Sequence, residues 1–321
     1  MPLTTPLSSV PYRHHLCAFL TARTTEKAPG AAGPNIDAVA KGTRKTKTRL
    51  PTPDGRDSGP TAGTFAIDTG TCELVRDQYS DDSWIVQING VPSSHVNLAD
   101  PTVLDFEYMR WIAHLVDSER DTSERLRVLH LGGGACSMAR YFAAVYPDAR
   151  QVVVEIDGAL AELVRRWFDL PRAPLLRIRV GEARAVLETL TESTRDLVIR
   201  DVFAGSTTPT PLTTAEFTAQ VRRILAPGGI YLVNCGDTPD LRGARSEAAT
   251  IAAQFEHLAI IADPAMLKGR RYGNIIIAGS DVPIGEQPSL VRDLLGGAVP
   301  AHLWRTAEVR TFAAPGTVLQ D

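Results

Sequence analysis

Cysteine is scarce in this chain and never paired: Cys17, Cys72, Cys136 and Cys235 lie far apart with no Cys-x-x-Cys spacing. That argues against a zinc ribbon or a disulfide framework and fits a reducing, cytoplasmic setting. Long apolar runs are missing too. No stretch approaches the ~18 residues of a membrane span, and Leu16-Cys-Ala-Phe-Leu20 is too short for the apolar core of a secretory leader. An excess of one charge is also absent, since 34 Lys/Arg stand against 37 Asp/Glu for a net charge of −3. Nothing global therefore marks a nucleic-acid or membrane partner, and neither is expected. No internal repeat is present.

The balance hides an asymmetry. Residues 1–60 hold nine Lys/Arg against four Asp/Glu, concentrated in Lys41-Gly-Thr-Arg-Lys-Thr-Lys-Thr-Arg49, in a context rich in Pro, Thr, Gly and Ala. We read residues 1–62 as a disordered basic tail with solvated charges, because no helical or strand period is sustained there. The chain has 321 residues, of which 44% are hydrophobic, enough for one large or two modest domains.

From Thr64 short strand-like runs appear: Phe65-Ala-Ile-Asp68, Cys72-Glu-Leu-Val-Arg76 and Trp84-Ile-Val-Gln-Ile88. Gly70 and Asn89-Gly90 separate them, and Asn-Gly supplies the two positive-φ residues of a tight hairpin. The pattern predicts a small antiparallel β module over 63–104. Phe106, Met109, Ile112, Ala113 and Val116 then recur at helical spacing. After a polar linker, Ser118–Glu124, strands at Arg127–Leu131, Gln151–Glu155, Leu176–Val180, Leu197–Asp201 and Ile230–Asn234 alternate with helical patterns. One of those helices opens with Thr213 and has Glu216 three positions on, the signature of a capping box. Such alternation means a parallel sheet with helices on both faces. Leu258–Ile261 and Asn274–Ala278 are too close for a parallel crossover and must pair antiparallel. The expected fold is α/β, a doubly wound seven-stranded sheet over 105–280, with 281–321 as a C-terminal extension packing on it.

Chemistry points to one stretch, Val128-Leu-His-Leu-Gly-Gly-Gly-Ala-Cys-Ser-Met-Ala-Arg140: a buried strand, a glycine turn and the start of a helix. Glycine lacks the Cβ that would keep a ligand from the backbone, and a helix N-terminus suits a polar ligand group. Glu155 stands 23 residues beyond Gly132 at the end of the next strand, where a ribose diol is held in nucleoside-binding α/β folds. Further acids close the third and fourth strands at Glu182 and Asp201. With Leu225-Ala-Pro-Gly-Gly229 leading into the fifth strand and the antiparallel closing pair, this order resembles the class I S-adenosylmethionine (SAM) methyltransferase fold.

The resemblance narrows. Leu129-His-Leu-Gly-Gly-Gly134, Val154-Glu-Ile-Asp157, Val180-Gly-Glu182 and Asp196-Leu-Val-Ile-Arg-Asp201, with Asp105-Phe-Glu-Tyr108 upstream, are similar to the spermidine synthase family, the polyamine aminopropyltransferases, over about 64–280. That resemblance implies a cosubstrate site built from Gly132, Gly133, Gly134, Ala135, Glu155, Ile156, Glu182, Ala183 and Asp201. Within it Glu155 holds the ribose, Glu182 lies near the adenine, Asp201 faces the reacting amine and Tyr108 lines the acceptor pocket. Arg140 matches the helix after the glycine loop, and a homodimer is implied.

Departures from the family pattern bear on the reaction. The family's GGGDGG loop carries an aspartate that fixes the amine of decarboxylated SAM, and Ala135 stands there; its DxxD motif ends here in Ala204; Arg110 and Ser93 replace a glutamate and a glutamine. Two buried ammonium charges without partners are expensive, which weakens a diamine acceptor. Ala135 removes a repulsion against the carboxylate of SAM and leaves the helix N-terminus free to meet it. The expectation is thus methyl transfer from SAM to a small-molecule or protein amine, with Asp201 orienting the nucleophile, Tyr108 and His95 assisting, and no metal. Two alternatives stay open: an aminopropyltransferase using decarboxylated SAM and putrescine, in which Glu107 or Glu216 replaces the missing acids, and a catalytically silent nucleoside-binding protein.

Overall fold

The computed structural model describes residues 59–321. The basic cluster and the tail up to residue 58 lie outside the described residues. The described residues open with four strands, β1 (Gly63–Ile67), β2 (Gly70–Arg76), β3 (Ser83–Ile88) and β4 (Val91–Asn97), paired antiparallel in sequence order. Asn89 and Gly90 join β3 to β4 with φ of 51° and 79°, the left-handed pair their residue types favour. Strand β4 completes the hairpin that Asn89-Gly90 signals, although Val91-Pro-Ser-Ser-His-Val-Asn97 is mostly polar. Ser94 and His95 are buried in it nonetheless, and their hydrogen bonds, described below, explain how.

Helix α1 (Glu107–Glu119) buries Met109, Ile112, Ala113 and Val116, the face its spacing predicts, and runs into the segment expected as linker. The chain then alternates: β5 (Arg127–Leu131), α2 (Ser137–Val145), β6 (Arg150–Glu155), α3 (Gly158–Trp167), β7 (Leu176–Val180), α4 (Ala183–Glu188), β8 (Arg195–Arg200), α5 (Ala215–Ile224) and β9 (Leu225–Asp237). It closes with α6 (Arg242–Ala252), β10 (His257–Ala262), α7 (Pro264–Leu267), β11 (Gly273–Ser280), α8 (Pro288–Gly296), β12 (His302–Arg305) and α9 (Thr306–Ala313). The large sheet has the order β12-β10-β11-β9-β8-β5-β6-β7, parallel from β9 to β7 and antiparallel across the other pairs.

Two expectations need correction. The sheet has eight strands rather than seven, because the C-terminal extension supplies β12 against β10. Four residues are too few for a period to be read, so only the pairing reveals that strand. Helix α5 is capped by Thr214, whose Oγ1 accepts from the Phe217 N–H at 3.2 Å, while Thr213 donates back to the Thr210 carbonyl at 2.8 Å.

The core explains the position of the site. Val128, Leu129 and Leu131 of β5 are inaccessible to solvent, as a strand covered on both faces requires. The small sheet also needs cover. Its Cys72, Leu74, Trp84 and Val86 pack into one apolar cluster with Ala135, Ala139, Leu160 and Trp167 of the glycine loop, α2 and α3. Burying a side chain of this kind stabilises by about 1.5–3 kcal/mol, so the β module is fastened to the elements that follow β5 and β6. Polar bonds fix its register there: the Thr69 N–H and hydroxyl both donate to Asp157 Oδ2 at 2.7 Å, and Asp157 caps α3 through the Leu160 N–H at 2.8 Å.

Candidate active site

From β5 the chain turns to β6 on one side and later returns to β8 on the other, so strand order reverses at β5. Loops at such a switch point diverge and leave a crevice at the carboxyl ends of the strands. Here those loops touch. The Asp201 N–H donates to the Leu131 carbonyl at 2.9 Å. Gly132 has φ of +90°, and a Cβ there would lie 2.2 Å from the Asp201 carbonyl oxygen, so only glycine lets the two strand ends meet. Gly134, at φ +48°, is pressed against the β module: a Cβ would stand 2.7 Å from Ser94 Oγ.

The loop amides are already engaged. Gly133 and Gly134 donate to Glu155 Oε2 at 3.0 and 3.2 Å, and the Asp157 N–H donates to Glu155 Oε1 at 3.0 Å. Ala135, fully buried, donates to Ser94 Oγ at 3.0 Å. The Ala135 amide itself is therefore not free for a carboxylate, although no side chain caps α2. Strand β4 occupies that amide and is stitched on along the helix, with Ser137 Oγ donating to the His95 carbonyl at 2.7 Å and Arg140 to the Asn97 carbonyl at 2.9 Å. Cys136, the left-handed residue before α2, is buried, and its thiol is pushed up to about 12 by desolvation and by Glu155.

Across the crevice Asp201 is gripped from two elements. Tyr108 Oη on α1 donates to Oδ2 at 2.8 Å, and Asn234 Nδ2 on β9 donates to Oδ1 at 2.9 Å. Burial raises the carboxyl above its ordinary value; the bonds from Asn234 and Tyr108 and the neighbouring Arg200 guanidinium act the other way without cancelling it. The phenol of Tyr108 is held far above its ordinary range, first by desolvation and then by the Asp201 charge. A cavity of about 30 Å³ lies beneath the loop, lined by His130, Gly132, Gly133, Met138 and Asp201 among others. His130 is neutral, its pKa lowered to about 4 by burial, and it bonds Gln151 at 2.8 Å.

Tyr108, Asp201, the glycine loop and Glu155 thus converge. The other expected residues have surroundings of their own. Glu182 is exposed and caps α4 through the Arg184 and Ala185 N–H groups at 2.9 and 2.8 Å. Ile156 is exposed at the end of β6, and Ala183 is buried in the first turn of α4. His95 bonds Asp77 at 3.0 Å inside the β module, an anchor for β4. Arg110 is held by the Leu104 and Asp105 carbonyls, and Glu216 accepts from the Asp321 N–H. Arg271, in the basic run Lys268-Gly-Arg-Arg271 before β11, pairs with Asp263. Sequence reasoning missed Asn234 and Ser94. A polar side chain ending the apolar run Ile230–Asn234 was a usable signal for the first; a serine in loop-like text offered none for the second.

No family model matches the chain. A probable spermidine synthase from Corynebacterium glutamicum superposes on it with a TM-score of 0.78 at 52% identity, over 82% of this chain and 97% of its own. The chain belongs to the spermidine synthase family. Among curated members, the polyamine aminopropyltransferase of Vibrio vulnificus is 29% identical over 134 residues, 41% of this chain and 44% of its own. The chain spans about half, or less, of the length of the curated relatives it matches. Spermidine synthase from Thermotoga maritima, 16% identical with a TM-score of 0.54 over 79% of this chain and 87% of its own, shares the fold.

Proposed function

We propose that this protein is an aminopropyltransferase: it binds a decarboxylated SAM-type sulfonium nucleoside at the glycine loop and transfers the aminopropyl group to a polyamine acceptor. The observation that carries the reading is Asp201, fixed by Tyr108 and Asn234 beside the glycine loop at the switch point of the sheet. Family membership supports the same reaction class.

The chemistry asks little more of the protein. The acceptor nitrogen attacks the carbon bound to the sulfonium; the N–C bond forms, the C–S bond breaks and sulfur keeps the electron pair. One amine proton must leave, and in this proposal Asp201 orients the nitrogen and takes it. Glu155 retains lone-pair capacity for a ribose after accepting three backbone N–H groups, because a carboxylate offers about four acceptor sites. Ile156, Glu182 and Ala183 line the adenine end in this proposal.

Methyl transfer from SAM is the weaker reading. Part of its argument was a free amide at Ala135, and Ser94 occupies that amide. The deciding assay incubates the protein with putrescine and either decarboxylated SAM or SAM, and follows methylthioadenosine against S-adenosylhomocysteine. Aminopropylated amine with methylthioadenosine supports the proposal, and methylated amine with S-adenosylhomocysteine refutes it. A homodimer in a cytoplasmic setting belongs to the same proposal, the dimer being checked by light scattering.

A further inference from the structure

A glycine turn running into a helix ordinarily offers consecutive N–H groups to an anion. In this loop each of them has a partner. Glu155 Oε2 takes Gly133 and Gly134, and Ser94 Oγ takes Ala135. Ser94 is 2% exposed, so solvent does not compete for this bond. Nor does Ser94 rest on a loose segment: its neighbours on β4 are bonded to α2 through Ser137 and Arg140, and the His95 ring is tied to Asp77 on the far side.

A carboxylate entering this end of the crevice would find the Gly133, Gly134 and Ala135 amides already taken. To use those amides it would have to displace Ser94 or Glu155, and it would lie close to the half-buried Glu155 charge. A cationic or uncharged tail meets neither penalty, and the Glu155 charge favours the cation. We infer that Ser94 is a specificity-determining residue: by capping the Ala135 amide it turns the glycine loop against sulfonium nucleosides that carry a carboxylate and toward those that lack one. The inference rests on the aminopropyltransferase reading and names how this chain makes the choice with an alanine at 135. Ser94 acts through the loop and need not touch the reacting atoms.

The test is calorimetric titration of the full chain, unmodified and as Ser94→Ala, with SAM, decarboxylated SAM and methylthioadenosine. Removing the hydroxyl frees the Ala135 N–H for a carboxylate, and a charge-assisted bond of this kind is expected to be worth about tenfold or more in affinity. The expected result is a fall of about tenfold in the Kd for SAM relative to that for decarboxylated SAM. Methylthioadenosine, which carries neither carboxylate nor amine, should bind within about twofold of the unmodified chain, taken as the spread of replicate titrations. Ser94→Cys, which keeps the volume and weakens the acceptor, should shift the ratio in the same direction and serves if the alanine variant does not fold. An unchanged ratio in a variant that still binds methylthioadenosine overturns the inference and leaves the aminopropyltransferase reading standing. Failure of the unmodified chain to bind any of the three nucleosides overturns both.

Discussion

Tyr108 donates its phenolic hydrogen to Asp201 across 93 residues of sequence and a distance of 2.8 Å, joining the helix that precedes the large sheet to the strand end at its centre. The bond holds one carboxylate oxygen on the α1 side while Asn234 holds the other on the β9 side. Asp201 is consequently the carboxylate in this crevice whose direction is set by side chains from two separate elements.

Asp201→Asn should reduce turnover by about 10²–10⁴, the usual worth of a positioned proton acceptor, while methylthioadenosine binding stays within a few-fold. Steady-state kinetics and calorimetry on the same sample separate the two effects. Equal loss of binding and turnover would place Asp201 in the framework of the crevice and not in its chemistry. Because burial raises the folded-state pKa of this carboxyl, activity should fall on acidification at a pH above the ordinary carboxylate value. The same sign means that ionising Asp201 works against the folded state as pH rises through that window, and the Asn variant should be relieved of this.

Tyr108→Phe removes a hydrogen bond that favours ionised Asp201. The acidic limb of the rate profile should move upward in pH, since the bond lowers the carboxyl's proton affinity. The rate at the plateau should fall by about tenfold, one hydrogen bond to a charged group. A profile that keeps its acidic limb while the plateau falls would contradict the coupling.

Glu155→Ala leaves the Gly133, Gly134 and Asp157 N–H groups without their acceptor. A buried donor left unpaired costs about 1–3 kcal/mol, so denaturant titration should register a loss of that order and nucleoside affinity should drop as the loop loosens. Glu155→Gln keeps one oxygen for the two glycine amides and should be the milder variant. A glutamine variant as damaged as the alanine one would show that charge, rather than acceptor geometry, holds the loop.

Arg200 and Glu247 form a buried pair behind the site, with Arg200 Nη2 donating to Glu247 at 2.5 Å and Nη1 to the Leu212 carbonyl at 2.8 Å. Arg200→Met alone strands the Glu247 charge and should destabilise by about 3–5 kcal/mol, whereas Arg200→Met with Glu247→Leu should recover most of that loss. Urea denaturation of the two variants gives the comparison, and a double variant no better than the single one would show that the Leu212 bond carries the stabilisation.

What the amino-acid sequence determined by itself was whatever depends on neighbours along the chain. Buried strands such as Val128–Leu131, the glycine turn after them, the Asn89-Gly90 hairpin and the apolar face of α1 follow from periodicity and from backbone angles that few residue types adopt. Family resemblance rested on the same local text, and it singled out Glu155, Tyr108 and Asp201. Tertiary structure decided what depends on distant partners. Ser94 meets Ala135 across 41 residues, Asn234 meets Asp201 across 33, and β12 exists as a strand because β10 lies beside it. The physical reason is that a hydrogen bond is specified by two groups, and one of them alone leaves no period in the sequence. Ala135 illustrates the difference: by itself it suggested an open helix end suited to a carboxylate, and a serine from another sheet takes its amide.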